Sequence, residues 1–524
     1  MITSRLAPAL ALAGLLSLAL PAVARGAPSA TGDFDGDGHS DLAIGAPMDS
    51  VAGQENAGAL NVIYGSRRGG LREDPDQQFT QGTGGIRGWV EAHDRFGNTL
   101  TAADFDGDGY GDLVVGAPGE DTSGHANTGV VHILYGGRRG LTTRDELLGQ
   151  GFAGVPGTPE AEQNFGAALA AGDFDGDGRD DLAVGIPDDT VGGAPAAGAA
   201  VVMYSTRRGV VPGHDQVWTQ DTSGIKGLAA AYHRFGGSLA AGDLDGDGED
   251  DLAIGIPGGR IHGIRGAGAV AVLYESRGAL SERGDQLWSQ GARGIKGAPE
   301  DPDGFGWSLA IGDFNQHGDM DLAVGVPFES VDGVADAGAV NVLYSSRGRL
   351  RGGDEIFHQD SRGIKASPGR GDRFGIALAA GDFNGDREHD LAVGIPGEDV
   401  RGEDDAGAVS VLYGTESNGI SSRDDLWHQG SAGIDGIPQA FDLFGLDVAA
   451  GDFDGDRRWD LVASAPHDSV QGFTDAGAVN VIYGHGGGLR EDPDELWTQG
   501  TRGIKGAVGN DRFGLAVGSG APGG

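Results

Sequence analysis

Residues 32–47 read "GDFDGDGHSDLAIGAP". Asp33, Asp35, Asp37 and Asp41 fall at positions 1, 3, 5 and 9 of a loop, Gly38 falls at position 6, and an apolar run follows at once. The pattern returns six more times. Its first Asp is Asp33, Asp104, Asp173, Asp243, Asp313, Asp382 and Asp452, a unit of 69 to 71 residues. Phe-Gly keeps step at Phe96, Phe165, Phe235, Phe305, Phe374, Phe444 and Phe513. A Tyr closes an alternating apolar run at Tyr64, Tyr135, Tyr204, Tyr274, Tyr344, Tyr413 and Tyr483. A Trp-Thr-Gln-Gly-like element follows at Trp218, Trp288, Trp427 and Trp497, with Phe79 and Phe357 standing in.

Residues 374–443 show one whole unit. "FGIALAAGDF", "DLAVGIP", "GAVSVLYG" and "DDLWHQG" are four short runs, separated by clusters of Gly, Pro and Asp. β-branched residues, partial period-two alternation and turn-forming separators predict four strands. Four-stranded units repeated radially predict an all-β fold, a seven-bladed β-propeller. The coils of a β-solenoid are far shorter than this unit. The first run is rich in Ala and Gly, as suits a strand crowded against the axis. Near residue 30 the chain supplies only the tail of such a strand, and "DRFGLAVGSG" at 511–520 supplies one with no acidic loop after it. The expectation is a ring closed by pairing of the N- and C-terminal segments, which leaves no open sheet edge. Residues 27–524 then form one propeller. Residues 1–26, with Arg5, an apolar run over 6–20 and small-x-small patterns at 22–24 and 24–26, predict a secretory signal peptide cleaved within 24–28, and hence a secreted, extracellular protein.

The chain carries 78 acidic against 37 basic residues, a formal net charge of −41, and no cysteine. Phosphate binding needs basic patches, so nucleic acid is not an expected partner. No disulfide can brace the exported protein. No apolar stretch after the signal is long enough for a membrane span. A cation is the natural partner.

The loop spacing says which. Ca²⁺ takes six to eight oxygens from a tightly curled chain, and acids at positions 1, 3, 5 and 9, with a backbone carbonyl at position 7, supply them. Position 12, where a helix-loop-helix calcium loop carries Glu, is apolar here, from Ile44 to Ala463. The first copy offers Asp33, Asp35, Asp37, His39 (through its carbonyl) and Asp41. The second offers Asp104, Asp106, Asp108, Tyr110 and Asp112, and the third Asp173, Asp175, Asp177, Arg179 and Asp181. The fourth offers Asp243, Asp245, Asp247, Glu249 and Asp251. The fifth has Asp313, Asn315 and Asp321 but His317 at position 5, a poor ligand for a hard ion, so a weak or empty site is expected. The sixth (Asp382, Asn384, Asp386, Asp390) and seventh (Asp452, Asp454, Asp456, Asp460) carry Arg387 and Arg457 where Gly belongs. Up to seven Ca²⁺ are expected, bracing the fold by binding only its folded form.

Phe-Gly, then Asp-x-Asp-x-Asp-Gly-x-x-Asp-Leu, then Gly-Ala-Pro, as in "FGNTLTAADFDGDGYGDLVVGAPGED" (residues 96–121), resembles the FG-GAP repeats of the integrin α-subunit β-propeller. The resemblance spans the chain from about residue 27. It implies Ca²⁺ loops between the first and second strands on one face and ligand recognition on the other. The recognition face would carry the loops after Gly-Ala-Pro, such as 48–57 and 119–127, and the "GIKG" links, such as 224–227 and 294–297. An integrin's stalk, cysteines and membrane helix are missing from the sequence, so only a ligand-binding propeller is implied.

No nucleophile elbow, zincin helix or phosphate-cradling loop occurs. The acid spacing suits Ca²⁺ better than a glycosidase pair. The expectation is a monomeric adhesion or interaction module for an extracellular protein or glycan. A lectin is the alternative, and a hydrolase is ranked below both. Trp and Tyr at fixed repeat positions suit packing between blades, or sugar stacking if exposed. Arg283-Gly284-Asp285 and Arg370-Gly371-Asp372 are expected by chance at this composition and receive no function.

Overall fold

The computed structural model describes residues 31–66, 69–72, 76–416, 419–421 and 423–518. The signal-peptide segment lies outside them. Among the described residues the chain forms seven antiparallel blade sheets, each of four consecutive strands with Ala516–Gly518 added to the first, and a two-stranded ribbon of Ser205–Thr206 and Gly209–Val210; no helix occurs among them. Blade 2 is Thr99–Ala103, Asp112–Ala117, Val130–Leu134 and Asp145–Leu148, and the other blades repeat it. Neighbouring innermost strands touch all the way round, so the sheets form a propeller ring.

The sequence explains the strand positions. Each second strand, Asp41–Ala46 or Asp181–Ile186 for example, is buried along its whole length. Such a strand lies sandwiched between two neighbouring blades and reads as an unbroken apolar run. The Gly of Gly-Ala-Pro is fixed by a close approach, since a Cβ on Gly45 would stand 2.1 Å from the Gly97 carbonyl oxygen of the next blade. The Phe of Phe-Gly is fully buried in every copy from Phe96 to Phe513. Its N–H donates to the loop of the preceding blade, as Phe96 to Ala57 at 2.9 Å and Phe374 to Ala337 at 2.9 Å. The Phe-Gly and Gly-Ala-Pro residues are therefore inter-blade stitches.

Two further stitches recur. The Tyr hydroxyl at the end of the third strand accepts a backbone N–H of the next blade in six of seven places, from Leu141 to Tyr64 (3.0 Å) round to Leu71 to Tyr483 (3.3 Å). The repeat Trp are largely buried, with Trp218 5% and Trp497 3% exposed. These aromatics are packing residues. The "GIKG" links expose their Gly and Lys and anchor themselves through the Ile between. Their Ile are buried, and the following N–H is held by an Asp of the next blade's outer strand, as Lys226 by Asp285 (2.7 Å) and Lys296 by Asp354 (2.8 Å). They are clamps between blades. The same bonding buries Asp285, and Asp372 is held by Gly369 N–H (2.5 Å), so neither Arg-Gly-Asp stretch presents its acid.

Blade 1 has an inner edge of two pieces. Thr31–Gly32 pairs with one end of Asp41–Ala46, and Ala516–Gly518 pairs with the other. Gly514 N–H donates to Gly45 O at 2.9 Å, and Val517 N–H to the Asp447 carboxylate at 3.0 Å.

Candidate metal centre

All seven acidic loops join the first strand to the second and so lie at one end of the blades. The loop after Gly-Ala-Pro lies at the other end. Position 1 curls the loop. Asp33 accepts the Asp37 N–H at 2.8 Å and the Gly38 N–H at 2.7 Å, and Asp173 does the same for Asp177 and Gly178. The tight turn needs left-handed backbone at positions 4 and 6, with Gly36 at φ 72° and Gly38 at φ 87°. Arg387 (φ 80°) and Arg457 (φ 71°) keep that conformation without glycine's tolerance for it. The requirement at position 4 was not anticipated, and Gln316 meets it in the fifth copy.

Position 9 does more than the spacing suggests. One oxygen of Asp41 accepts the Phe34 N–H (2.8 Å) and the other accepts the Gly65 N–H (2.9 Å), 24 residues on. Every copy repeats this staple, ending with Asp460, Phe453 and Gly484. It ties the loop to the exit of the third strand. The only sequence trace is the constant 24-residue offset to the residue after the repeat Tyr.

The ligand atoms converge. Carboxylate oxygens of Asp33, Asp35 and Asp37 lie within 4.8 Å of one another, as do those of Asp104, Asp106 and Asp108, of Asp173, Asp175 and Asp181, and of Asp243, Asp245 and Asp251. Burial, opposed by backbone hydrogen bonds and reinforced by neighbouring carboxylates, pushes Asp112 and Asp181 up to about 8 and Asp251 to about 9. Asp106 Oδ1 and Asp245 Oδ1 are buried with no hydrogen-bond partner. A hard cation would supply both the missing positive charge and the missing partner, so the donor set fits one. Basic side chains meet part of the charge. Arg72 reaches Asp35 and Asp37 at 3.5 and 3.3 Å, Arg144 reaches Asp106 at 2.7 Å, and Arg458 reaches Asp456 at 2.7 Å.

The fifth loop carries His317 at position 5, and its Asn315 bonds as Asn384 does in the sixth. Asn315 Nδ2 donates to Asp321 at 2.9 Å, and Asn315 Oδ1 faces the His317 ring at 2.5 Å, so two ligand positions are spent on their neighbours.

The loops are also wired together. The position-8 N–H donates to the position-1 carbonyl of the preceding blade's loop, as Gly111 to Asp33, Asp250 to Asp173, and Ser40 to Asp452, each at 2.9 to 3.0 Å. Between loops 2 and 3 the bond runs from Asp104 N–H to the Asp180 carboxylate at 3.0 Å.

A seven-bladed ring with one acidic loop per blade, stitched by Phe-Gly and Gly-Ala-Pro, defines the class. The FG-GAP repeat model matches residues 27–62, 96–134, 165–203, 235–273, 305–343 and 374–412. The chain is an FG-GAP repeat protein, related to integrin alpha subunits. Phosphatidylinositol-glycan-specific phospholipase D of Bos taurus is 32% identical over 337 residues, 63% of this chain and 37% of that protein. The Homo sapiens enzyme is 36% identical over 221 residues, 41% of this chain and 24% of its own. Integrin alpha-PS2 of Drosophila melanogaster is 38% identical over 162 residues, 30% of this chain and 11% of the integrin. The chain thus spans between 11% and 37% of the length of these relatives. Among the described residues no helix is long and apolar enough to cross a membrane.

Proposed function

We propose that this chain is a secreted, calcium-binding propeller that serves as a cell-adhesion or protein-interaction module. The observation that carries the reading is its division into two ends. One end is a circuit of seven acidic loops, and the other is a set of short hairpins with exposed tips, such as residues 52–55 and 123–126. The position 1, 3, 5 and 9 acids would hold Ca²⁺, with the position 7 carbonyl. The ion would neutralise carboxylates that burial leaves unbalanced, and wired loops would pass the stiffening between blades. Relatedness to integrin alpha subunits supports the interaction role. Calcium titration by calorimetry tests the cation half. Several ions should bind, with the 313–321 site last or vacant, and a titration without heat refutes it. The interaction half is tested by adhesion of cells to the immobilised protein with and without Ca²⁺. Absence of attachment in both conditions counts against it.

A lectin is the second reading, because Trp89 (82% exposed) and Tyr232 (66%) stand outside the packed repeat positions. Exposed aromatic faces are what sugar stacking requires. Binding on a glycan array that is lost in Trp89→Ala and Tyr232→Ala would decide for it.

A further inference from the structure

The end of the ring opposite the acidic loops changes character at blade 4, built from Leu239–Gly242, Asp251–Ile256, Ala269–Glu275 and Leu280–Trp288. In six blades the second residue after the Pro of Gly-Ala-Pro, or its equivalent, is an acid: Asp49, Glu120, Asp189, Glu329, Glu398 and Asp468. In blade 4 it is Gly259, and the hairpin that follows reads "RIHGIRG" over 260–266. No acid occurs over 252–274, over 222–242 in the link that enters the blade, or over 190–198 at the tip of the preceding hairpin. A chain of formal net charge −41 thus carries an acid-free sector at this end.

The fold brings these three segments together. Tyr232 N–H donates to Pro195 O in the blade 3 hairpin at 2.9 Å. Gly258 N–H, at the root of the blade 4 hairpin, donates to His233 O at 3.1 Å. Tyr232 and His233 therefore lie between the two hairpins. The missing acid is compensated beneath the surface. Gln81, Gln290, Gln359 and Gln429 each donate to the acid after the next blade's Pro. Gln220 is the equivalent glutamine before blade 4, and its Oε1 lies 2.8 Å from a ring nitrogen of the buried His233. An amide oxygen only accepts, so His233 donates. Burial, and after it the Arg260 guanidinium, pulls His233 below its ordinary pKa, so the ring is neutral and the sector's charge rests on arginine.

Above this junction the side chains are uncovered. Arg260, His262 and Arg265 are exposed, and among the described residues neither arginine has an ion-pair partner. The two acids at the root of the blade 3 hairpin are already engaged, Asp188 with Arg234 at 3.3 Å and Asp189 with Gln163 at 2.7 Å. The link to blade 5, with Glu300, Asp301 and Asp303, bounds the sector on its far side, where Gly304 N–H meets Gly266 O at 2.8 Å. Tyr232 is 66% exposed and holds a left-handed φ of 64°, in a place where the link between blades 5 and 6 carries Gly371. Its ring gains little by burial, and its backbone carries a cost that Gly avoids. Stability does not explain a Tyr there.

We propose that this sector binds an acidic polysaccharide, with carboxylate or sulfate groups on Arg260 and Arg265 and a sugar ring on the face of Tyr232. The guanidinium fork matches a carboxylate or sulfate with two parallel hydrogen bonds. The exposed aromatic face supplies the stacking surface. The net negative charge does not forbid a polyanion. The six-residue second strand sets the two ends of the blade about 20 Å apart, and charges farther apart than about 8 Å are largely screened at physiological salt. The proposal names a ligand class for the lectin reading above and rests on that reading.

The test is binding of the intact, Ca²⁺-loaded chain to immobilised heparin, neutral dextran and poly-glutamate, at low and at physiological salt. Heparin should be bound, more weakly as salt rises, and dextran and poly-glutamate should not. Arg260→Glu should weaken heparin binding by about tenfold or more, as loss of a charge-assisted hydrogen bond does. Tyr232→Ala should weaken it by about threefold or more, and Tyr232→Phe should restore it. Should Arg260→Glu fold poorly, Arg265→Gln carries the same test. No heparin binding, heparin binding indifferent to both arginine variants, or poly-glutamate bound as tightly as heparin would overturn the proposal. Binding of neutral glycans that is lost in Tyr232→Ala but unmoved by Arg260→Glu keeps the lectin reading and overturns this one. A protein that binds no glycan at all refutes both.

Discussion

At the scale of single residues, the acidic loops show how far backbone geometry constrains sequence. Position 6 adopts left-handed φ in all seven copies, and a Cβ there meets open space, as at Gly38 and Gly178. Arg387 and Arg457 therefore clash with nothing and carry only the backbone cost, about 1 kcal/mol for a non-glycine residue in that region. Arg387→Gly should stabilise the protein by up to that amount. It should also tighten the sixth site for Ca²⁺, since a positive charge is removed from the loop. Thermal unfolding and calcium calorimetry on the single variant check both, and a lower Tm would contradict the account.

At the scale of elements, position 9 and position 3 do different work. Asp181 satisfies two buried N–H groups, those of Phe174 (3.0 Å) and Ser205 (2.7 Å), without any ion. Asp181→Ala leaves both unmet, at about 1–3 kcal/mol each, and should destabilise the protein even in chelator, with a further loss in Ca²⁺ because a ligand oxygen goes too. Asp175→Asn keeps the oxygen that accepts the Asp177 N–H and should cost stability only when Ca²⁺ is present. Melting the two variants with and without chelator separates staple from ligand. Equal stability of the two variants in chelator would remove the distinction. The blade architecture was legible because each 69–71-residue unit repeats its strand, turn and Phe-Gly signals in register, and seven concordant copies outweigh the ambiguity of any one. The ligand spacing was legible because it is local, falling within nine residues. What escaped is non-local. The staple reaches 24 residues, and the "GIKG" clamp bonds an Asp of the next blade. In "GIKG" the Ile alone is buried and the N–H after it clamps the next blade, while the Gly and Lys stay exposed.

At the scale of the whole molecule, seven-fold stitching makes each blade's stability depend on its neighbours, so the weakest junction sets that of the ring. The structure pairs Ala516–Gly518 with Asp41–Ala46, in the sheet that Thr31–Gly32 begins. Phe513 and Val517 are buried in the cluster that joins blades 7 and 1, with Ile44, Val462 and Trp497. We propose that this pairing is the closure of the ring. Deletion of residues 511–524 should then expose the inner edge of Asp41–Ala46 and strip two apolar side chains from that cluster, each worth about 1.5–3 kcal/mol when fully buried. It also leaves Asp447 without the Val517 N–H it accepts, in a site where burial already pushes its carboxyl up to about 8. The truncated chain should melt several degrees lower and show faster hydrogen exchange in blades 7 and 1 than in blade 4, the far side of the ring. A truncated chain with unchanged Tm and uniform exchange would mean that the ring is held without its last strand, by the Ser40–Asp452 and Leu71–Tyr483 bonds between blades 1 and 7.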